Sequence, residues 1–202
     1  MYRMKRVFAV LMILVTVAAM FSGCKKEPDL KLFCDWLSAS GFTAGLGQTG
    51  FSNHISQYYY QGEPLKQTSE FYDVSGGKGY AVGTDVWKWT HENTENGTKI
   101  NNHFAIKADL DGLALPGGVR MGDSLDSCME KLGLEGKRSD VKDVKAGRGT
   151  CDLTCTDTLI TFKEHYDWYN DAGKIVKVTR TLMFKFNSSG LIEFSVTVTE
   201  KA

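Results

Sequence analysis

The C-terminal third of the chain alternates apolar and polar residues, and this constrains the fold more than any other feature. The alternating runs occupy residues 158–168, 174–186 and 191–199, with turn-forming segments at 170–173 and 187–190. Successive side chains of a strand point to opposite faces, so each run predicts a strand with one buried face and one wet face. Short turns between the runs predict an antiparallel meander, and its apolar face needs a covering layer.

The part of the chain before these runs combines further strand patterns with two helix patterns. Aromatic and β-branched residues predict strands at 55–60, 70–74, 80–83, 86–90 and 99–110. Apolar residues at helical spacing predict a helix over 27–40. The segment 122–133 predicts a second helix, with Asp123 or Ser124 as its N-cap and Gly133 closing it, and residues 134–150 are interpreted as an exposed loop.

These patterns together predict an α+β fold, an antiparallel β-sheet meander with short helices packed on one face. Length favours a single domain over residues 28–202, with a subdivision near 112–120 as the alternative.

Basic and acidic residues are equal in number at 24 each, and three of the basic ones lie in the first six residues. The rest of the chain is therefore slightly acidic, which argues against a nucleic-acid partner.

The first 23 residues have the organisation of an export signal. Three basic residues precede an apolar run of 15 residues that is too short to span a bilayer as a helix, and the run ends in Phe-Ser-Gly-Cys. This end resembles the bacterial lipobox, in which the cysteine is diacylated and becomes the first mature residue. The resemblance implies a signal peptide at 1–23, lipidation of Cys24 and a short tether at 24–27. An uncleaved anchor and an ordinary secretory signal are the alternatives.

Four cysteines remain after Cys24, and an even number in an exported chain favours disulfides. The candidates are Cys34, Cys128, Cys151 and Cys155. The short spacing of Cys151 and Cys155 suggests a bridge across a tight turn, which would leave Cys34 to pair with Cys128. Buried reduced thiols are the alternative. A zinc site is disfavoured because the Cys-x₃-Cys pair has no second matching pair.

The sequence lacks the motifs that usually position catalytic groups. It contains no Gly-x-Ser-x-Gly and no Ser-x-x-Lys, and none of His54, His91, His103 and His165 belongs to a metal-binding pattern. We therefore expect no catalytic residues, no metal and no cofactor. The chain is predicted not to be an enzyme, and an envelope hydrolase built around one of the histidines is the least favoured alternative.

Two aromatic clusters are the candidate binding residues. Trp87 and Trp89 share one face of a predicted strand, and a Tyr-Tyr-Tyr run includes Tyr58 and Tyr60. Exposed aromatic rings stack on sugars or anchor protein partners. Burial would make the same rings part of the core, and this is the favoured interpretation of the tryptophan pair.

Residues 110–200 resemble a known helix-plus-sheet module. A Gly-Asp-Ser-Leu helix ending in Leu-Gly, followed by a loop and three antiparallel strands, is similar to the unit of SmpA/OmlA-type outer-membrane assembly lipoproteins and of β-lactamase-inhibitor-like proteins. That family hosts binding and scaffolding functions on one scaffold. The resemblance implies a non-catalytic lipoprotein on the extracytoplasmic side of a bacterial membrane, binding an envelope protein or a cell-wall component. A carbohydrate- or solute-binding lipoprotein that uses the Trp and Tyr clusters is the alternative.

Lipidation of Cys24 is directly testable. We expect Cys24→Ser to lose incorporation of labelled palmitate and to shift from the membrane pellet to the soluble fraction, because two acyl chains anchor stably and an unmodified serine adds none. Ser22→Ala, which keeps a small residue before the cleavage point, should remain labelled and membrane-bound. Palmitate incorporation by the Cys24→Ser protein would contradict the assignment.

Overall fold

The computed structural model describes residues 28–40, 68–74, 77–94, 98–110, 113–134, 140–169 and 173–202. Within these ranges a nine-stranded sheet dominates, and every strand pair is antiparallel. The strands are β1 (Thr68–Val74), β2 (Gly77–Gly83), β3 (Trp87–Thr94), β4 (Lys99–Ile106), β5 (Val141–Ala146), β6 (Gly149–Cys155), β7 (Leu159–Tyr169), β8 (Ile175–Asn187) and β9 (Gly190–Lys201). The prediction of a sheet-rich antiparallel fold is confirmed.

The sheet consists of two meanders, and each supplies one strand of the central pair that joins them. The strand order is β1-β2-β3-β4-β9-β8-β7-β6-β5, so each meander runs from an outer edge towards the middle. β4 pairs with β9 from Lys99↔Lys201 to Ile106↔Phe194. This pairing makes one continuous sheet from strands that are far apart in sequence.

Two short α-helices accompany the sheet in the described residues. α1 spans Lys31–Ala39 and buries Phe33, Cys34 and Leu37, which follow the spacing of one helical face. Phe33 stacks on Phe162 of β7 with ring centroids 4.8 Å apart. None of the described helices combines the length and the apolar character that crossing a bilayer requires.

α2 spans Leu125–Lys131 and has the predicted capping residues. The hydroxyl of Ser124 accepts a hydrogen bond from the Ser127 N–H, and Gly133 has a φ of 67°. The helix is preceded by a 3₁₀ turn at Pro116–Gly118. Cys128 and Met129 are buried and belong to the hydrophobic core.

The prediction that residues 134–150 form an exposed loop is wrong over most of its C-terminal part. β5 and the start of β6 occupy positions 141–146 and 149–150. A register shift between Val141 and Val144 interrupts the pairing of β5 with β6, and three of its six residues are charged. The irregular strand therefore lacks the apolar alternation on which the prediction depended.

The outer edge of β5 is shaped against pairing with another strand. Asp143 adopts a φ of 55° within the irregular region, and its N–H donates to Asp152 Oδ1 at 3.0 Å. Lys142 and Lys145 are exposed on the same strand. A bulge and charged side chains are features that prevent a sheet edge from recruiting further strands.

A fully buried ion pair lies on the largely apolar face of the sheet. Arg180 of β8 lies opposite Glu164 of β7, and both side chains have no exposed surface. Arg180 Nε donates to Glu164 Oε2 at 2.7 Å, and Arg180 Nη1 donates to the Leu37 carbonyl at 3.2 Å. Glu164 Oε1 accepts from the Arg148 N–H at 2.8 Å. The pair thus connects two strands, the end of α1 and the turn between β5 and β6.

Removing one member of this pair should be costly, because the remaining charge stays buried without a counter-ion. We expect Glu164→Gln to lower the free energy of unfolding by about 3–5 kcal/mol. The double variant Glu164→Leu/Arg180→Met, which buries no charge, should lose less. Urea unfolding followed by fluorescence measures both.

Lys185→Met is the matched control, because Lys185 is an exposed cation on the same strand as Arg180. It should change the free energy of unfolding by no more than about 0.5 kcal/mol. A loss of under about 1 kcal/mol for Glu164→Gln would show that the pair is not needed to hold α1 on the sheet.

Candidate functional site

Two cysteines meet beside the buried ion pair. Cys34 of α1 and Cys151 of β6 are both buried, and their sulfur atoms are 3.8 Å apart. Cys151 Sγ also lies 3.5 Å from the carbonyl oxygen of Ala146. The thiols therefore join the N-terminal helix to the C-terminal meander at the same place as Glu164 and Arg180.

The surroundings shift the pKa values of these two thiols in opposite directions. A hydrogen bond from Cys151 lowers the pKa of Cys34, and the nearby Arg180 guanidinium acts in the same direction. The hydrogen bond to Cys34 and burial both raise the pKa of Cys151. Cys34 is therefore the thiol that ionises first, and the ionised form is the nucleophile in thiol chemistry.

The same cluster contains three atoms that could ligate a metal. Cys34 Sγ, Cys151 Sγ and a Glu164 carboxylate oxygen lie within 4.8 Å of one another. Both carboxylate oxygens of Glu164 already accept hydrogen bonds, from Arg180 and from the Arg148 N–H. A dication would lie against the Arg180 guanidinium, so electrostatic repulsion disfavours a metal here.

An open cleft lies where β7 and β8 extend beyond β6. β6 begins at Gly149, whereas β7 continues to Tyr169. The cleft has a volume of about 440 Å³. Its polar lining consists of Arg148, Thr150, His165, Asp167, Lys177 and Thr179.

The end of the β7–β8 hairpin carries the exposed aromatic surface of the described residues. Trp168, Tyr169 and Ile175 are 38%, 69% and 56% exposed. The Arg148 guanidinium lies 6.0 Å from the centroid of the Trp168 ring and 5.5 Å from that of Tyr166. A cation stacked on aromatic rings at the rim of a cleft is a common arrangement in binding surfaces.

Tyr166 forms part of the cleft wall, and its ring packs between two arginines. Arg180 lies 5.5 Å from the ring centroid on the interior side. Among the described residues, no hydrogen-bond partner faces the buried Tyr166 hydroxyl. An unpaired buried hydroxyl costs about 1–3 kcal/mol, which a ligand or a water that hydrogen-bonds it would recover.

Three of the four histidines form hydrogen bonds across neighbouring strands. The Nδ1 atoms of His91, His103 and His165 lie 2.8, 2.8 and 3.0 Å from Asn102 Oδ1, Thr197 Oγ1 and Thr179 Oγ1. His54 lies outside the described residues. These bonds follow the sheet ladder and link side chains of paired strands.

His165 has both a hydroxyl and a carboxylate beside its ring. Its Nε2 is 3.4 Å from Asp152 Oδ2, and its Nδ1 contacts Thr179. A hydrolase would also need donors for a developing oxyanion. Thr179 lies in β8, which pairs with β7 on one side and β9 on the other. The backbone N–H groups near it therefore donate to neighbouring strands and are not free to stabilise an oxyanion. The arrangement is better suited to binding a polar ligand than to acyl transfer.

The structure shows where several of the residues singled out from the sequence lie. Trp87 and Trp89 are 4% and 1% exposed, so they are core residues and do not form a sugar-binding surface. Tyr58 and Tyr60 lie outside the described residues, as do residues 1–23 and Cys24. Cys128 and Cys155 are buried thiols, and burial raises their pKa values to about 12 and about 11.

The predicted bridge between Cys151 and Cys155 is wrong. Both residues lie on β6, and there is no turn between them. Four residues of strand span about 13 Å, whereas a disulfide requires Cα atoms within about 7 Å. The structure instead places Cys151 next to Cys34, the cysteine that was expected to pair with Cys128.

The Glu164–Arg180 ion pair and the exposed aromatic end of the β7–β8 hairpin were not predicted from the sequence. The alternation of β8 contained a signal, because Arg180 lies on the face shared by Val178 and Leu182. Glu164 occupies the corresponding place between Phe162 and Tyr166 in β7. Two opposite charges on apolar faces of adjacent predicted strands indicate a buried pair. No such signal distinguishes the exposed Trp168 from the buried tryptophans.

Comparison with protein-family models, curated proteins and solved structures finds no match to this chain. The candidate site is therefore defined by its own geometry, as a cationic and aromatic cleft next to a buried cysteine pair.

The environment of His103 predicts how stability depends on pH. Burial lowers the pKa of His103, and Glu193 and Glu92 oppose this only in part. The folded chain thus binds the proton more weakly than the unfolded chain. We expect the free energy of unfolding to fall as pH decreases below about 6.5. Urea unfolding between about pH 5 and pH 7.5 measures this.

His103→Gln keeps a polar partner for Thr197 and removes the titrating group. It should flatten this part of the pH profile. An unaltered slope in the His103→Gln protein would contradict the assignment.

Proposed function

We propose that this chain is a lipid-anchored, non-catalytic binding protein of the bacterial cell envelope, on the extracytoplasmic side. Its signal and lipobox-like sequence supply the anchor at Cys24. The observation that supports binding is the β7–β8 hairpin, which exposes Trp168, Tyr169 and Ile175 near a polar cleft whose lining includes Arg148 and Lys177.

The chemistry of the hairpin end favours a protein partner. Trp, Tyr and Arg dominate the energetics of protein interfaces, and here Arg148 lies against the exposed Trp168, with the exposed Tyr169 next to it in the sequence of β7. Ile175 is an exposed aliphatic side chain at the start of the neighbouring strand. Such a side chain contributes by apolar burial against a protein and has little use in binding a sugar.

The cleft itself supports a second candidate function, the binding of a cell-wall glycan. Thr150, Thr179 and Asp167 offer hydroxyl and carboxylate groups to sugar hydroxyls, and the exposed Tyr169, two residues from Asp167 on the same face of β7, offers a ring for stacking. Arg148 and Lys177 would attract carboxylates on the glycan or its peptides. This replaces the tryptophan pair of the core as the carbohydrate-binding candidate.

We further propose that α1 and α2 cover the same apolar face of the sheet, as the sequence predicts for the short helices of this α+β fold. Phe33 of α1 stacks on Phe162, and Cys128 and Met129 of α2 belong to the same core. The polar face and the hairpin end would then be left for the partner.

The test is capture of a partner by the tagged full-length lipoprotein from detergent-solubilised envelopes. Trp168→Ala and Tyr169→Ala should each reduce the recovered partner at least about tenfold, because interface aromatics commonly contribute more than about 1.4 kcal/mol. In parallel, co-sedimentation with purified cell-wall sacculi measures the glycan alternative.

Lys107→Ala is the control, since Lys107 is exposed and follows β4 at the other end of the sheet. It should leave both measurements unchanged. Retention of the partner and of sacculi by the Trp168→Ala protein would refute the hairpin as the binding surface. Loss of sacculi alone would favour the glycan function.

A further inference from the structure

The contact between Cys34 and Cys151 has the geometry of a pair that can be oxidised. The sulfurs are 3.8 Å apart, and a disulfide bond is about 2.05 Å long. Rotation of the two side chains about Cα–Cβ can close a gap of this size without moving either element far. The two residues are 117 positions apart in sequence.

The backbone around the pair leaves room for Cys34. A side chain at Gly147 would lie 2.7 Å from Cys34 Sγ and 3.0 Å from its Cβ, and Gly147 has a φ of 58°. Glycine is the residue that adopts this conformation at little cost and has no Cβ to obstruct the sulfur. The β5–β6 turn thus brings its backbone directly against Cys34.

We propose that Cys34 and Cys151 form a disulfide that fastens α1 to the sheet. Metal binding is the other chemistry of two adjacent thiols, and the hydrogen-bonded Glu164–Arg180 pair opposes it. The remaining cysteines, Cys128 and Cys155, are buried thiols and stay reduced. This inference does not depend on what the hairpin binds.

The oxidation is a thiol–disulfide exchange with an external disulfide, either oxidised glutathione or the active-site disulfide of an oxidoreductase. The Cys34 thiolate attacks one sulfur of that disulfide, forming a mixed disulfide and releasing one thiolate. The Cys151 thiolate then attacks the Cys34 sulfur and displaces the second thiolate. Two cysteine thiols are oxidised and one external disulfide is reduced to two thiolates, which take up the two protons that the cysteines release.

Exchange requires that α1 leaves the sheet, because both sulfurs are buried in the folded state. This occurs before α1 docks during folding, or later when the nine-residue helix undocks transiently. Once formed, the bridge closes a long loop and restricts the unfolded chain, which stabilises the folded state.

The test uses the full-length lipoprotein, extracted in detergent and incubated with oxidised glutathione. After denaturation without reductant, free thiols are blocked with a maleimide and the protein is digested for mass spectrometry. We expect a linked peptide pair containing Cys34 and Cys151, which reductant separates, and maleimide on Cys128 and Cys155. Maleimide on both Cys34 and Cys151, or either residue linked to Cys128 or Cys155, would overturn the proposal.

A stability measurement on the wild-type protein provides an independent outcome. Reductant should lower its melting temperature by roughly 5–10 °C, as expected for the loss of a bridge across a long loop. Cys128→Ser and Cys155→Ser should retain this shift, while Cys34→Ser and Cys151→Ser should abolish it. A wild-type melting temperature that does not respond to reductant would also overturn the proposal.

Discussion

The buried ion pair between Glu164 and Arg180 is the interaction on which the arrangement of this molecule depends. It places two charges in an apolar layer, and such charges are tolerated only when hydrogen bonds satisfy them. Arg180 reaches the Leu37 carbonyl near the end of α1, and Glu164 receives the Arg148 N–H from the β5–β6 turn. An apolar pair could fill the same volume, but it would not specify where the helix and the turn must lie.

The need to satisfy the buried Glu164 carboxylate also connects the core to the proposed binding surface. Arg148 has its backbone fixed by Glu164 and its guanidinium stacked near Tyr166 and Trp168. The Arg148 side chain, which lines the cleft, is therefore positioned by the Glu164 carboxylate. The same carboxylate holds Arg180, which hydrogen-bonds to α1. A rigid support of this kind lowers the entropy lost when a surface binds its partner.

Local pattern and long-range pairing were not equally predictable from the sequence. The alternation in β7, β8 and β9 was sufficient to predict three antiparallel strands, because a half-buried strand imposes a period of two. β5 was missed because its bulge and charges remove that period. The pairing of Cys34 with Cys151 depends on where α1 docks, and no local rule encodes that position. The exposure of Trp168 likewise depends on where β6 begins. Its first residue is Gly149, so β6 does not extend alongside Trp168, and composition does not reveal this difference in strand length.

The irregular edge of β5 has a consequence for a chain held at a membrane, as we propose for this one. Tethering confines molecules to a thin layer, where their edges meet far more often than they would in free solution. A nine-stranded sheet with a regular outer strand could then add copy after copy into a fibre. The bulge at Asp143 and the lysines at 142 and 145 deny the next molecule a continuous row of hydrogen-bonding groups. The defect in β5 thus lets the protein be crowded without polymerising.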